Sequence, residues 1–220
     1  MNKGIILASA VGLLATGASA FPLMTYLGHE DGRQVRMSLN SGSSFSTVFA
    51  GELRLKLETA PSIDEIVVGY CADPRTNMSG SAWGLTITDS SVIPSVGARL
   101  GHIVNSYAPA LLANGDDDGA MALQVAIWEI LVETSATYDV TDGLFRAKKS
   151  DGNAFDAGEL ALINGILNDN GSGTAKYYQS ALNGAGNPKS QSILAPVPEP
   201  ATIGVLAVGA AALLRKRRSR

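Results

Sequence analysis

The 220-residue chain reads as an α+β protein: an antiparallel, sandwich- or barrel-like β-domain with a helical part inserted in its middle. Three observations predict this. Residues 46–58 alternate, with Leu53, Leu55 and Leu57 on one face and Arg54, Lys56 and Glu58 on the other, as a half-buried strand does. Apolar residues then take helical spacing across 96–107 and 120–133. Short β-rich segments flank that helical part on both sides. A hydrophobic content of 45% against 17% charged residues indicates a real core, and the 24 glycines indicate many turns.

Taken in order, residues 21–40 carry only a weak pattern, and the strand at 46–58 follows. Across 65–71, Ile66, Val68 and Tyr70 alternate against Val67, Gly69 and Cys71, a second strand. Pro74, Asn77 and Gly80 make 73–81 an exposed loop. Trp83, Leu85 and Ile87 alternate with Gly84, Thr86 and Thr88, a further strand. Val96, Leu100, Ile103, Val104 and Tyr107 keep helix spacing, and Pro109 is expected to end or restart that helix.

Asp116, Asp117 and Asp118 precede the next helix, where carboxylates cap free N–H groups and meet the positive end of the dipole. Within 120–133, Gln124, Ile127, Trp128 and Leu131 fall on one buried stripe, leaving Glu129 and Glu133 for the wet side. Residues 138–145 read as a strand pair broken at Asp142-Gly143. A last helix is expected over 156–167, through Leu160, Ile163 and Leu167. The segment 168–200 is rich in Gly, Ser, Asn and Pro, and its second half reads as a spacer.

The two ends carry address signals. Lys3, an apolar run from Ile5 to Leu14 and the small residues Ala18-Ser19-Ala20 make 1–20 a secretory signal peptide, with the mature chain starting near Phe21. A domain over 21–180 and a spacer over 181–196 then lead to 197–220. There Val197-Pro198-Glu199-Pro200 precedes an apolar run, 201–214, and a basic tail, RKRRSR. The run is shorter than the ~20 residues that cross a bilayer comfortably, and the tail would stay in the cytoplasm.

Pro198, Glu199 and Pro200, the short apolar helix and the arginine cluster together resemble the bacterial PEP-CTERM sorting signal. That resemblance implies recognition by an exosortase, a membrane protease-transpeptidase of bacteria that make exopolysaccharide. It implies a transient membrane anchor through the C-terminal helix, cleavage near 198–200, and a finished protein at the cell surface or outside the cell. A net charge of −3 with no basic cluster besides that tail excludes nucleic-acid binding as an expectation.

Export makes the single cysteine conspicuous, since an unpaired thiol in an oxidising compartment must pair between chains, stay buried or be chemically masked. A glutamine on a buried stripe carries a similar demand, because an unpaired buried amide costs on the order of 1–3 kcal/mol. Tyr70-Cys71-Ala72-Asp73 and Leu123-Gln124-Val125-Ala126-Ile127-Trp128 together resemble the thioester domains of bacterial surface adhesins. Their pattern is aromatic-Cys-X-Asp followed by a Gln-X-Ala-Ile-Trp helix. The likeness spans roughly 46–167 as an order of parts, and Leu123 stands where Gram-positive members carry Thr.

The resemblance implies an internal thioester between Cys71 and Gln124, opened later by an amine on a surface ligand or matrix polymer. Such a protein is a single-use covalent binder, with no turnover and no cofactor. Tyr70 and Trp128 would wall off the site, and Asp73 would orient an amide or shuttle a proton unless it only turns the chain before Pro74. Free N–H groups at the start of the Gln124 helix would polarise the carbonyl. The loops 73–81 and 114–119 are expected to flank the site.

Two other readings stay open. Cys71 could be an inert core residue of a non-covalent component of the extracellular polysaccharide matrix. More remotely, His29 or His102 could serve Cys71 as the base of a secreted cysteine hydrolase. Residues 114–119 imitate half a calcium loop, but the twelfth position is Val125 rather than a bidentate Glu, so helix capping is expected there and at Asp151-Gly152-Asn153, with loose calcium binding as the alternative. No zinc spacing, phosphate loop or Ser-His-Asp signature is present, and no metal site is expected.

Overall fold

The computed structural model describes residues 22–59, 63–133 and 137–197; the expected signal peptide over 1–20, the Pro198-Glu199-Pro200 segment and the apolar run after it lie outside the described residues. Strands β1 (Leu23–Ser38), β2 (Ser46–Thr59), β3 (Ile63–Cys71) and β4 (Trp83–Asp89) come first. Helices α1 (Gly97–Asn114) and α2 (Asp117–Val132) follow, then β5 (Arg146–Lys149), α3 (Ala157–Leu167), β6 (Lys176–Ser180) and β7 (Ile193–Ala195). Every pairing is antiparallel. The order β2-β3-β7-β6-β4-β1 returns to β2, because β1 pairs with both β4 and β2 and so closes a ring of six strands. Strand β5 extends β1 at its far end.

Strand β1 escaped the period-two reading because two bulges break its alternation. Its register with β2 shifts between Tyr26 and Gly28 and again between His29 and Gly32, where the glycines take φ of 146° and 141°. Bulges of this kind need glycine and flip the faces of whatever follows. Strand β7 corrects the spacer reading of 181–196. Ile193, Leu194 and Ala195 are buried because they fill the slot between β3 and β6, a partner relationship that a three-residue run does not announce.

Two further differences concern the helices. Helix α1 continues through Pro109, whose ring lies on the exposed side, so the missing N–H is lost where water can replace it. Helix α2 is buried nearly all round, packed on β1 and β2 on one side and on α1 and α3 on the other. Glu129 is therefore not on a wet face: it is fully buried, and its Oε1 accepts the Asp139 N–H at 2.7 Å. Glu133 Oε2 accepts the Leu144 N–H at 2.8 Å. These two carboxylates occupy the N–H groups that a strand pair over 138–145 would have needed, and the segment forms turns instead. Helix α3 starts with a reciprocal capping box between Asp156 and Glu159. Among the described residues no helix is long and apolar enough to cross a membrane.

Candidate functional site

Cys71 is the last residue of β3, and the sheet leaves half of its backbone for another partner. The Ala72 N–H bonds Ser192 O at 2.8 Å toward β7, so the N–H and C=O of Cys71, one residue earlier, face β2. The β2–β3 ladder has already ended there, at Leu53 opposite Gly69. Gln124 fills the gap from α2. Its Oε1 accepts the Cys71 N–H at 2.8 Å, and its Nε2 donates to the Cys71 C=O at 2.9 Å. The side-chain amide acts as one more residue of the missing strand. Both residues are closed to water, Cys71 at 2% and Gln124 at 1% exposure.

This geometry fixes the amide group against the backbone of Cys71, with the carbonyl oxygen already held by an N–H donor. That donor is the backbone of Cys71 itself, not the start of α2, from which Gln124 is nearly two turns distant. Burial pushes the Cys71 thiol up to about 12, opposed by the Trp128 indole and by the Asp73 N–H, which lies 3.4 Å from the sulfur. The Trp128 N–H meets no acceptor with full hydrogen-bond geometry, and the sulfur is the group it favours.

Of the remaining predicted residues, Trp128 lines the cleft described below. Tyr70 points to the opposite side of β3, fully buried, and donates to Glu52 Oε1 at 2.9 Å. The Asp73 side chain accepts the Arg75 N–H and the Thr76 hydroxyl, which makes it the turn residue before Pro74. His102 is engaged elsewhere, 2.7 Å from Asp169 Oδ1. The 114–119 carboxylates are likewise used: Asp116 caps Gly119, Asp117 accepts the Gly32 N–H, and Asp118 pairs with Arg33. Among the described residues no three acidic, histidine or cysteine side chains gather as a metal site.

A cleft of about 760 Å³ leads from the surface to Cys71, Gln124 and Trp128. Loop 73–81 supplies one wall through Pro74, Arg75, Thr76, Asn77 and Met78, whereas loop 114–119 does not reach it. The other wall is β1, β2 and the turn between them, including Tyr26, His29 and Phe49. Sequence reasoning missed this wall, since the bulges at Gly28 and Gly32 turn Tyr26 and His29 toward it. It also missed Glu52, 1% exposed at a position where strand alternation put a polar residue in solvent.

Residues 196–218 match the PEP-CTERM protein-sorting motif. The chain therefore carries a signal that is recognised by an exosortase, and it is an exported protein that is membrane-anchored during sorting and then processed. The fold is similar to the N-terminal thioester domain of a surface protein from Clostridium perfringens, with a TM-score of 0.43 and 10% identity over 74% of this chain and 98% of that one. No curated protein matches the chain.

Proposed function

We propose that the domain forms an internal thioester between Cys71 and Gln124 and uses it once, to attach the exported protein to an amine-bearing partner at the cell surface or in the surrounding matrix. The observation that carries this reading is the double hydrogen bond between the Gln124 amide and the Cys71 backbone. It ties a poor electrophile to the backbone of the residue that carries the chain's one thiol, at the nearly inaccessible inner end of the cleft, and polarises its carbonyl, which favours a near-attack arrangement. The step balances without an outside base. The thiol sulfur bonds to the amide carbon, the C–N bond breaks, and the thiol proton leaves with the nitrogen as ammonia. A thiol that burial keeps protonated supplies that proton.

The same two bonds also give both polar atoms of a core glutamine a partner, which favours the competing reading of a non-covalent matrix component with an inert Cys71. Thiol titration of the unfolded protein, quenched in mild acid, separates the two. The thioester reading predicts no titratable thiol before methylamine treatment and one after it. A free thiol in the untreated protein refutes it.

A further inference from the structure

Among the described residues, the cleft that ends on Cys71 and Gln124 has a lining with no aspartate, glutamate or lysine, and Arg75 is its only fixed charge. The rest divides into two kinds. Tyr26, His29 and Phe49 form an aromatic ledge at the mouth. The His29 ring stacks on Phe49 with centroids 3.9 Å apart and planes at 21°, and Tyr26 tilts against it at 5.6 Å. Around the ledge, Asn40, Ser44, Ser46, Asn77 and Gln191 present amides and hydroxyls.

The charged groups near the ledge are few. Burial lowers the His29 pKa, so the ring is neutral at neutral pH and adds no charge, and its Nδ1 lies 2.8 Å from the Tyr26 oxygen. Glu30, next along β1, is paired with Arg54 from β2 at 3.4 Å. Arg75 faces from the opposite loop.

A lysine side chain would arrive here as an ammonium and meet a guanidinium, while the Asp73 carboxylate of the same loop lies outside the lining and is already engaged by the Arg75 N–H and the Thr76 hydroxyl. It would also have to shed a proton held up to pH ~10. An amine on a sugar ring differs in each respect. Neighbouring oxygens draw electrons from its nitrogen and bring its proton loss toward neutrality. Its C–H faces pack on aromatic rings, and its hydroxyls pair with amides and hydroxyls, the small set of placed polar groups that orient a ligand in a cleft.

We infer that the cleft admits an amine carried on a polyhydroxylated sugar ring in preference to a protein lysine. This rests on the thioester reading above. The amine nitrogen attacks the Gln124 acyl carbon, a C–N bond forms, the C–S bond breaks, and the amine proton passes to the departing sulfur. The products are an amide at Gln124 and the Cys71 thiol.

The test uses the exported, sorted protein at pH 7 with equal concentrations of methylamine, glucosamine or Nα-acetyl-lysine amide, followed by intact mass. Methylamine checks the thioester alone: no adduct refutes that reading, and the inference with it. Given that adduct, glucosamine is expected to react at least about tenfold faster than the lysine derivative, relative to the same pair on a small thioester in solution. His29→Ala, exposed at the mouth, and Phe49→Leu should each return that ratio toward the solution value. A wild-type ratio equal to the solution value, or a preference for the lysine derivative, overturns the inference while leaving the thioester intact. A preference untouched by both substitutions also overturns it.

Discussion

Tyr70 donates its phenolic hydrogen to Glu52 Oε1 at 2.9 Å, inside the protein and one residue from Cys71. Glu52 is held up to about 7, chiefly by burial, with Asp31 and Glu30 adding to the shift against the Tyr70 bond. Glu129, buried under the 137–145 turns, is also held up to about 7, again chiefly by burial.

The consequence for stability follows from the sign. Both acids bind protons more tightly folded than unfolded, so their contribution is full below about pH 4.5 and is lost as pH rises through about 7. Denaturant unfolding at pH 4.5 and pH 8 should show the domain losing on the order of 1–3 kcal/mol per group over that window. Glu52→Gln keeps an acceptor for Tyr70 and should remove about half of the loss. A slope unchanged in that variant would contradict the burial of an ionisable Glu52.

Gly69 sets how closely β7 lies against β3. A Cβ there would sit 2.6 Å from Leu194 O and 2.7 Å from Ile193 Cγ2, both in the strand beside Cys71. Gly69→Ala should therefore cost about 1–3 kcal/mol by overpacking and displace β7, read by chemical unfolding and by faster amide exchange at Leu194. A neutral substitution would mean that β7 yields freely.

The His102 imidazole is bonded to Asp169 and packs beside Gly171, far from the sulfur in role. His102→Ala should leave any chemistry at Cys71 unchanged and loosen only the turn at 168–173, by about 1 kcal/mol. Loss of Cys71 reactivity in this variant would instead support the hydrolase reading.

Much of this was legible in the chain. The strands at 46–59, 63–71 and 83–89 and the three helices obey local periodicities, and the Cys71 and Gln124 motifs depend on spacing within single elements. What could not be read was non-local. The exposure of Glu129 was misjudged because helical period cannot tell a one-sided helix from one wrapped by strands and helices together. The strand at 193–195 depends on a vacancy between β3 and β6, and the cleft wall at Tyr26 and His29 depends on glycine bulges that scramble alternation.

A thioester would also cross-link residues 53 apart, and its removal should be felt in stability. By the loop-entropy argument used for disulfides, such a closure stabilises by about 4 kcal/mol. Methylamine treatment should then lower the unfolding midpoint by roughly 10 °C in a domain of this size. Without the bond, Cys71→Ala should cost little, since both Gln124 hydrogen bonds go to the backbone, whereas Gln124→Ala leaves a buried N–H and C=O unpaired.

The most direct test of the covalent account is the intact mass of residues 21–197, produced without the sorting segment. Thioester formation expels ammonia, so the mass should fall about 17 Da below the sequence value, and Cys71→Ala and Gln124→Ala should each abolish the deficit. A wild-type protein of full mass, with a thiol that alkylates once unfolded, would contradict it and leave Gln124 as a structural staple across the end of β3.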